Sequence, residues 1–212
     1  MLVRQPRRLL TLALALALVA GAIGASAGAG GKQRSRASAQ ITILAAASLT
    51  NVFPQIDSSP RYSFAGSDQL AAQIQQGVPA DVFAAASPKY PDQLYAQGLV
   101  EKPVVFARNR LVLIVPNSNP ANIHSVYDLR KPGVKLVIGN STVPVGSYTR
   151  TVLKNMGLSS VLSNVVSQEV DVRSVLTKVV LGEADAGFVY VTDALTVPGQ
   201  VKTITIPAWA QP

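Results

Sequence analysis

The sequence predicts an α/β protein of two lobes with a cleft between them. Three observations carry that expectation. From residue 41 onward, short apolar runs alternate with helical patterns, the signature of parallel βαβ units. Several helical patterns stop on a glycine (Gly77, Gly98, Gly157, Gly182), a residue suited to the position just past a helix end. The segment Phe106–Arg110 parts the units into two groups, and ligands of open α/β sheets sit outside the carboxyl ends of the strands, at helix N-termini.

Taken in order, Ile41–Ala45 reads as a short buried strand leading to a helix near Ser48–Ile56. A tight turn, Asp57–Pro60, precedes a strand at Tyr62–Phe64, and a helix follows from Ser67 to Gln76. Asp81–Ala84 is the third strand and Tyr90–Gln97 the next helix. Leu111–Val115 is the most strand-like run and ends at Pro116; a polar loop, Asn117–His124, and a short helix at Val126–Leu129 come next. Lys135–Ile138 is a strand, Ser147–Met156 a helix, Val165–Ser167 a strand and Val172–Leu181 a helix. Gly187–Val191 is a strand with Thr192 and Asp193 capping a brief turn, and Val201–Ile206 is the last strand.

The formal charge of +8 invites a nucleic-acid reading, but its distribution opposes one. Residues 1–40 hold six of the 19 basic residues and none of the 11 acidic ones, which leaves +2 for the rest. No basic run survives past residue 40, so nucleic acid is not expected as a partner. Residues 1–40 themselves read as a secretory signal and polar spacer. Arg4, Arg7 and Arg8 precede a 17-residue uncharged apolar run, Leu9–Ala25, and the small residues Ser26, Ala27 and Gly28 follow it. A retained membrane anchor is the alternative, since 17 residues lie at the short end for a spanning helix. The chain has no Cys, so neither a disulfide nor lipid attachment behind the leader is expected. The expected location is therefore the periplasm or the outer face of the cytoplasmic membrane, without a lipoprotein anchor.

Residues for catalysis are scarce. His124, the one histidine, lies in a polar loop where a surface or capping role is the ordinary reading, and any Ser-His-Asp triad would rest on it. No Cys nucleophile, G-x-S-x-G elbow or phosphate loop is present, and the acids are scattered, so neither an enzyme nor a metal site is expected. What stands out is a set of uncharged donors at expected helix starts. Ser48 opens the first helix and Ser67, behind Gly66, the second; Val145 and Gly146 lie just before the helix at Ser147; Asp171 and Val172 precede the next; Tyr190 ends a strand. Each has a plain alternative: Ser67 and Asp171 as N-caps, Val145 as turn filler, Tyr190 as a core aromatic. Together, helix N-termini converging on one cleft favour an anion, each contributing about 0.3–1 kcal/mol. Hydrogen bonds to a charged group add roughly 1.5–3 kcal/mol apiece.

These are also the residues on which the chain resembles a known family, the periplasmic molybdate-binding proteins of ABC transporters. The similarity runs from about Ile41 to Pro207 through AAASLT (45–50), FAGSDQLAAQI (64–74), QGVPADVFAAAS (76–87), RNRLVLIVP (108–116), TVPVGSYT (142–149), DVRSVL (171–176) and GEADAGFVYVTDA (182–194). One such string is weak; seven in the family's order are specific. The resemblance implies a type II periplasmic-binding fold that closes on molybdate or tungstate, with no cofactor, and delivers it as a monomer to an ABC permease. It implies oxyanion contacts from two Ser hydroxyls, two backbone amides and a Tyr hydroxyl, which fall on Ser48, Ser67, Val145, Val172 and Tyr190. Val145 stands where the family usually has Ala, and the segment between Ser48 and Ser67 is shorter than usual. The family normally continues past the position of Pro212 with a strand and a helix that complete the first lobe. On this reading the first lobe is 41–106 plus 197–212, and the second is 107–196. An all-donor site suits a fully deprotonated dianion, and Asp68 and Asp171 are expected to point outward along their helix starts. A receptor for sulfate or phosphate is the alternative, and an extracytoplasmic serine hydrolase using Ser48 or Ser67 the more distant one.

Overall fold

The computed structural model describes residues 2–4 and 40–212, so most of the expected secretory leader lies outside the described residues. Two sheets organise the chain. The first has four strands in the order β1 (Leu2–Arg4), β4 (Val82–Ala84), β2 (Thr42–Ala46), β3 (Arg61–Ala65). Here β2 pairs in parallel with both β3 and β4, and β1 lies antiparallel along β4. The second has five strands in the order β7 (Val165–Glu169), β6 (Leu136–Gly139), β8 (Ala186–Tyr190), β5 (Leu111–Pro116), β9 (Val201–Thr205). In it β6 is parallel to both β7 and β8, whereas β5 runs antiparallel to β8 and β9.

Both parallel sets follow one plan. The first strand of each, β2 or β6, sits centrally; the chain goes to one side for the next strand and to the other for the third. That reversal of strand order creates a crevice at the carboxyl end of the central strand. In each lobe the crevice opens where that strand hands over to the following turn or helix.

The helices are α1 (Phe53–Ile56), α2 (Ser67–Gln75), α3 (Lys89–Ala96), α4 (Pro144–Asn155), α5 (Val172–Val180) and α6 (Val191–Ala194). Most match the sequence pattern to within a residue or two, and two differ for stated reasons. The helix expected over Ser48–Ile56 is split into a 3-10 turn, Ala47–Leu49, and the four residues of α1. Pro54 has no N–H to give to the carbonyl of Thr50, so a continuous helix cannot cross this stretch. Conversely, α4 starts three residues earlier than the pattern at Ser147, because Pro144 occupies its first position, where no N–H is needed and φ is already helical.

A third difference concerns the end of the chain. Residues 197–212 do not join the first lobe: β9 pairs with β5 in the second sheet, and Ile206 and Ala210 belong to the second core. Gln211 extends this edge through its side-chain amide, which accepts from the Leu111 N–H (3.0 Å) and donates to the Leu111 carbonyl (2.8 Å). An antiparallel addition to β5 satisfies edge backbone groups that would otherwise face water. Hydrophobic cores form separately in the two lobes. The smaller gathers Leu44, Leu70, Ile74, Phe83 and Leu94; the larger surrounds Leu113, Ile114, Val137, Val175 and Phe188. No helix among the described residues is long and apolar enough to cross a membrane.

Polar bonds join the two lobes. Thr142 donates its hydroxyl to Asp68 Oδ2 (2.6 Å), Tyr90 donates to the Thr142 carbonyl, and Arg173 reaches Asn51 (3.3 Å). A Cβ on Gly66 would lie 2.6 Å from the Val170 carbonyl of the opposite lobe, so only glycine permits this approach.

Candidate functional site

One cavity collects the carboxyl ends of all six parallel strands. Ala46, Ala47 and Ser48 follow β2; Ala65, Gly66 and Ser67 follow β3; Ala86 follows β4. From the other lobe, Val143, Pro144 and Val145 follow β6, Asp171 and Val172 follow β7, and Tyr190 closes β8. The cavity encloses about 220 Å3 between atoms, its mouth included. With the open mouth set aside the enclosed space is far smaller, and it suits a solute of a few atoms and not a drug-sized ligand. Ser48, Ser67, Val145, Val172 and Tyr190, the five residues expected as donors, are all on its wall.

The local geometry explains why these groups are available. Ser67 is the first residue of α2 behind Gly66, not its N-cap, and is 1% exposed. Its Oγ accepts the Ala86 N–H (3.1 Å), which leaves the hydroxyl proton to be donated elsewhere. Ser48 is the middle residue of the 3-10 turn and is half-buried at the cleft. Val172 is the first residue of α5 and Val145 the second of α4; amides at these positions find no acceptor within their own helix. The approach of α4 depends on Gly146, where a Cβ would fall 1.9 Å from the Asn140 carbonyl and 2.3 Å from that of Gly139. Asn140 shapes the preceding turn by accepting the N–H groups of Thr142 and Val143 on Oδ1.

Tyr190 supplies the most telling atom. Its hydroxyl is buried and has no hydrogen-bond partner among the described residues, a costly state that a ligand acceptor would relieve. Burial, followed by the neighbouring Tyr148 and Asp193, pushes its pKa well above the ordinary value, so the hydroxyl keeps its proton as a donor. Asp193, fully buried behind it, accepts the Tyr190 N–H on Oδ2 (3.3 Å). Desolvation raises the Asp193 carboxyl to about 6 even though the Arg173 guanidinium, 3.7 Å away, pulls it down.

Neither acidic residue flagged in the sequence points simply outward. Asp68 turns across the cleft, where its Oδ2 lies 2.6 Å from the Thr142 hydroxyl, a donor it shares with Asn140 Oδ1. Asp171 caps α5 by accepting the Ser174 N–H (2.9 Å), yet it is among the cavity residues. Among the described residues no Lys or Arg lines the cavity; Arg173, next to Val172 in the chain, is turned toward Thr196, Asp193 and Asn51. His124 is not on the wall, and its Nε2 is 2.7 Å from Asn122 Oδ1. Among the described residues no group of three or more His, Cys, Asp or Glu is placed to hold a metal ion. The arrangement therefore offers hydroxyl and amide donors to a small acceptor-rich solute. Ala46 and Ala47, small residues of the 45–47 run that the sequence marks as open to a ligand's approach, are on the wall; sequence reasoning missed Ala65, Ala86 and the Arg173–Asp193 pair.

Comparison with known proteins agrees with this geometry. Residues 59–212 match the family model described as bacterial extracellular solute-binding protein. The molybdate-binding protein ModA of Mycobacterium tuberculosis (strain H37Rv) is 40% identical over 177 residues, covering 79% of this chain and 67% of the relative. ModA of Haemophilus influenzae is 34% identical over 184 residues, covering 79% and 72%. The solved periplasmic molybdate-binding protein of Azotobacter vinelandii superimposes with a TM-score of 0.68 over 81% of each chain; at 23% identity this likeness speaks to the fold.

Proposed function

The chain belongs to the bacterial extracellular solute-binding protein family, and from that premise we propose that it captures molybdate or tungstate for delivery to an ABC permease. One observation carries the reading: the carboxyl ends of six parallel strands, three from each lobe, meet at one small cavity with a buried, unpartnered Tyr190 hydroxyl on its wall. In this reading the dianion accepts hydrogen bonds from Ser48 Oγ, Ser67 Oγ, the amides of Val145 and Val172, and Tyr190 OH. Five such bonds to a doubly charged guest, at roughly 1.5–3 kcal/mol each before desolvation and ordering costs, suffice for tight capture without a neighbouring cation.

The protein catalyses no reaction on this account. A serine hydrolase would need His124 beside Ser48 or Ser67, whereas its ring is paired with Asn122 and absent from the cavity wall. The protein acts outside the cytoplasm as a monomer, without nucleic acid as a partner. Discrimination against hydrogen phosphate follows from chemistry: a wall of donors leaves its proton without an acceptor. Asp171 is the observation that keeps phosphate as a second reading, because a carboxylate at the cavity is an acceptor of the missing kind.

Thermal unfolding with sodium molybdate, tungstate, sulfate and phosphate tests the proposal. Molybdate or tungstate at a hundred times its dissociation constant stabilises the protein by about 2.7 kcal/mol. A shift with phosphate alone would establish the second reading, and no shift with any of the four would end both.

A further inference from the structure

Arg173 stands outside the cavity yet joins three of the segments that line it. In the chain it follows Val172 directly. One of its nitrogens, Nη1, donates to Thr196 Oγ1 (3.0 Å) and lies 3.7 Å from Asp193 Oδ1. The other oxygen of that carboxylate holds the Tyr190 N–H, so the guanidinium supports the strand end bearing the orphaned hydroxyl. The second terminal nitrogen, Nη2, crosses to the other lobe and donates to Asn51 Oδ1 (3.3 Å), three residues beyond Ser48 and just past its 3-10 turn. No lining residue other than these neighbours is needed to connect donors from both lobes.

We propose that Arg173 is a positioning residue that couples lobe closure to the donor set, holding Val172 and Tyr190 on one side and the Ser48 turn on the other. This rests on the oxyanion reading above. The planar fork is essential, since its two nitrogens face different lobes; the single ammonium of Lys cannot span Thr196 and Asn51 together. Because Arg173 and Asn51 stand on different lobes, parting the lobes would break this bond. Losing it therefore speeds escape of a bound anion and leaves the rate of capture by the open form unchanged.

Asn51 is exposed, so its replacement spares the folded core. With molybdate as the probe, Asn51→Ala and Arg173→Lys each raise the release rate about three- to tenfold while the association rate stays as in the parent, the range expected for one partly exposed charge-assisted bond. Asn51→Asp replaces the amide oxygen by a carboxylate and slows release, a gain that a merely structural role of Arg173 would not produce. Release rates equal to the parent in Asn51→Ala and Asn51→Asp would overturn the proposal. If the parent binds none of the oxyanions, the functional reading fails on its own, and solution scattering decides the latch. A larger radius of gyration for Asn51→Ala than for the parent supports it, and identical curves overturn it.

Discussion

Tyr190 and Asp193 sit three residues apart, and burial costs each of them stability in a different way. Burying a hydroxyl with no partner costs about 1–3 kcal/mol, so Tyr190→Phe is expected to raise the melting temperature of the ligand-free protein. The same change removes a donor, and titration calorimetry should find molybdate bound roughly ten- to a hundredfold more weakly. Asp193 gives a pH signature. Its carboxyl titrates near 6 in the fold against 3.8 for the free group, so the native state holds the proton more firmly than the unfolded chain. That favourable difference is complete below about pH 4 and is lost as pH rises through 6, by at most about 3 kcal/mol. Urea denaturation between pH 4 and 7 should show stability falling over this window, and Asp193→Asn should flatten the curve. At this scale the sequence was generous with donors and silent on their supports. Ser67 and Tyr190 are visible as a hydroxyl behind a glycine and an aromatic ending a strand. That Asp68 would swing to Thr142, or Arg173 to Asn51, depends on lobe contacts 74 and 122 residues apart in the chain.

At the level of elements, the start of α4 decides whether the Val145 amide reaches the cavity. Gly146 lies against the carbonyls of Gly139 and Asn140, and Arg150 from the next turn binds the carbonyls of both Gly139 and Gly146 (3.1 and 3.0 Å). A methyl at Gly146 has no flexible neighbour to displace. Gly146→Ala should therefore cost about 3 kcal/mol in chemical denaturation and abolish measurable molybdate binding, because the helix must back away from β6. Elements whose signal is local were legible: α5 was expected over Val172–Leu181 and spans Val172–Val180. Where the outcome turned on one residue's covalent chemistry, the pattern misled, as at Pro54 and Pro144. The placement of β9 was beyond reach for another reason. Its pattern marks a strand but does not say which edge it joins, and the backbone groups of β5 made that choice.

At the scale of the molecule, the described residues form two cores of unequal size joined at the cleft. Residues 44–100 supply the small one and residues 111–210 the large one, with few polar bonds between them. Differential scanning calorimetry of the ligand-free protein should resolve a first transition from the smaller lobe. Saturating molybdate, which would contact both, should move that transition up toward the second and merge the two.

The meeting of strand ends has a last consequence. The hydroxyls of Ser48 and Ser67 travel with one half, while the two amides and the phenol travel with the other. Under the proposed reading, neither half owns a complete coordination shell. A transporter that merely parted the halves would then strip the guest of two or three bonds in a single movement, discharging the cargo by mechanical division without competing for it chemically.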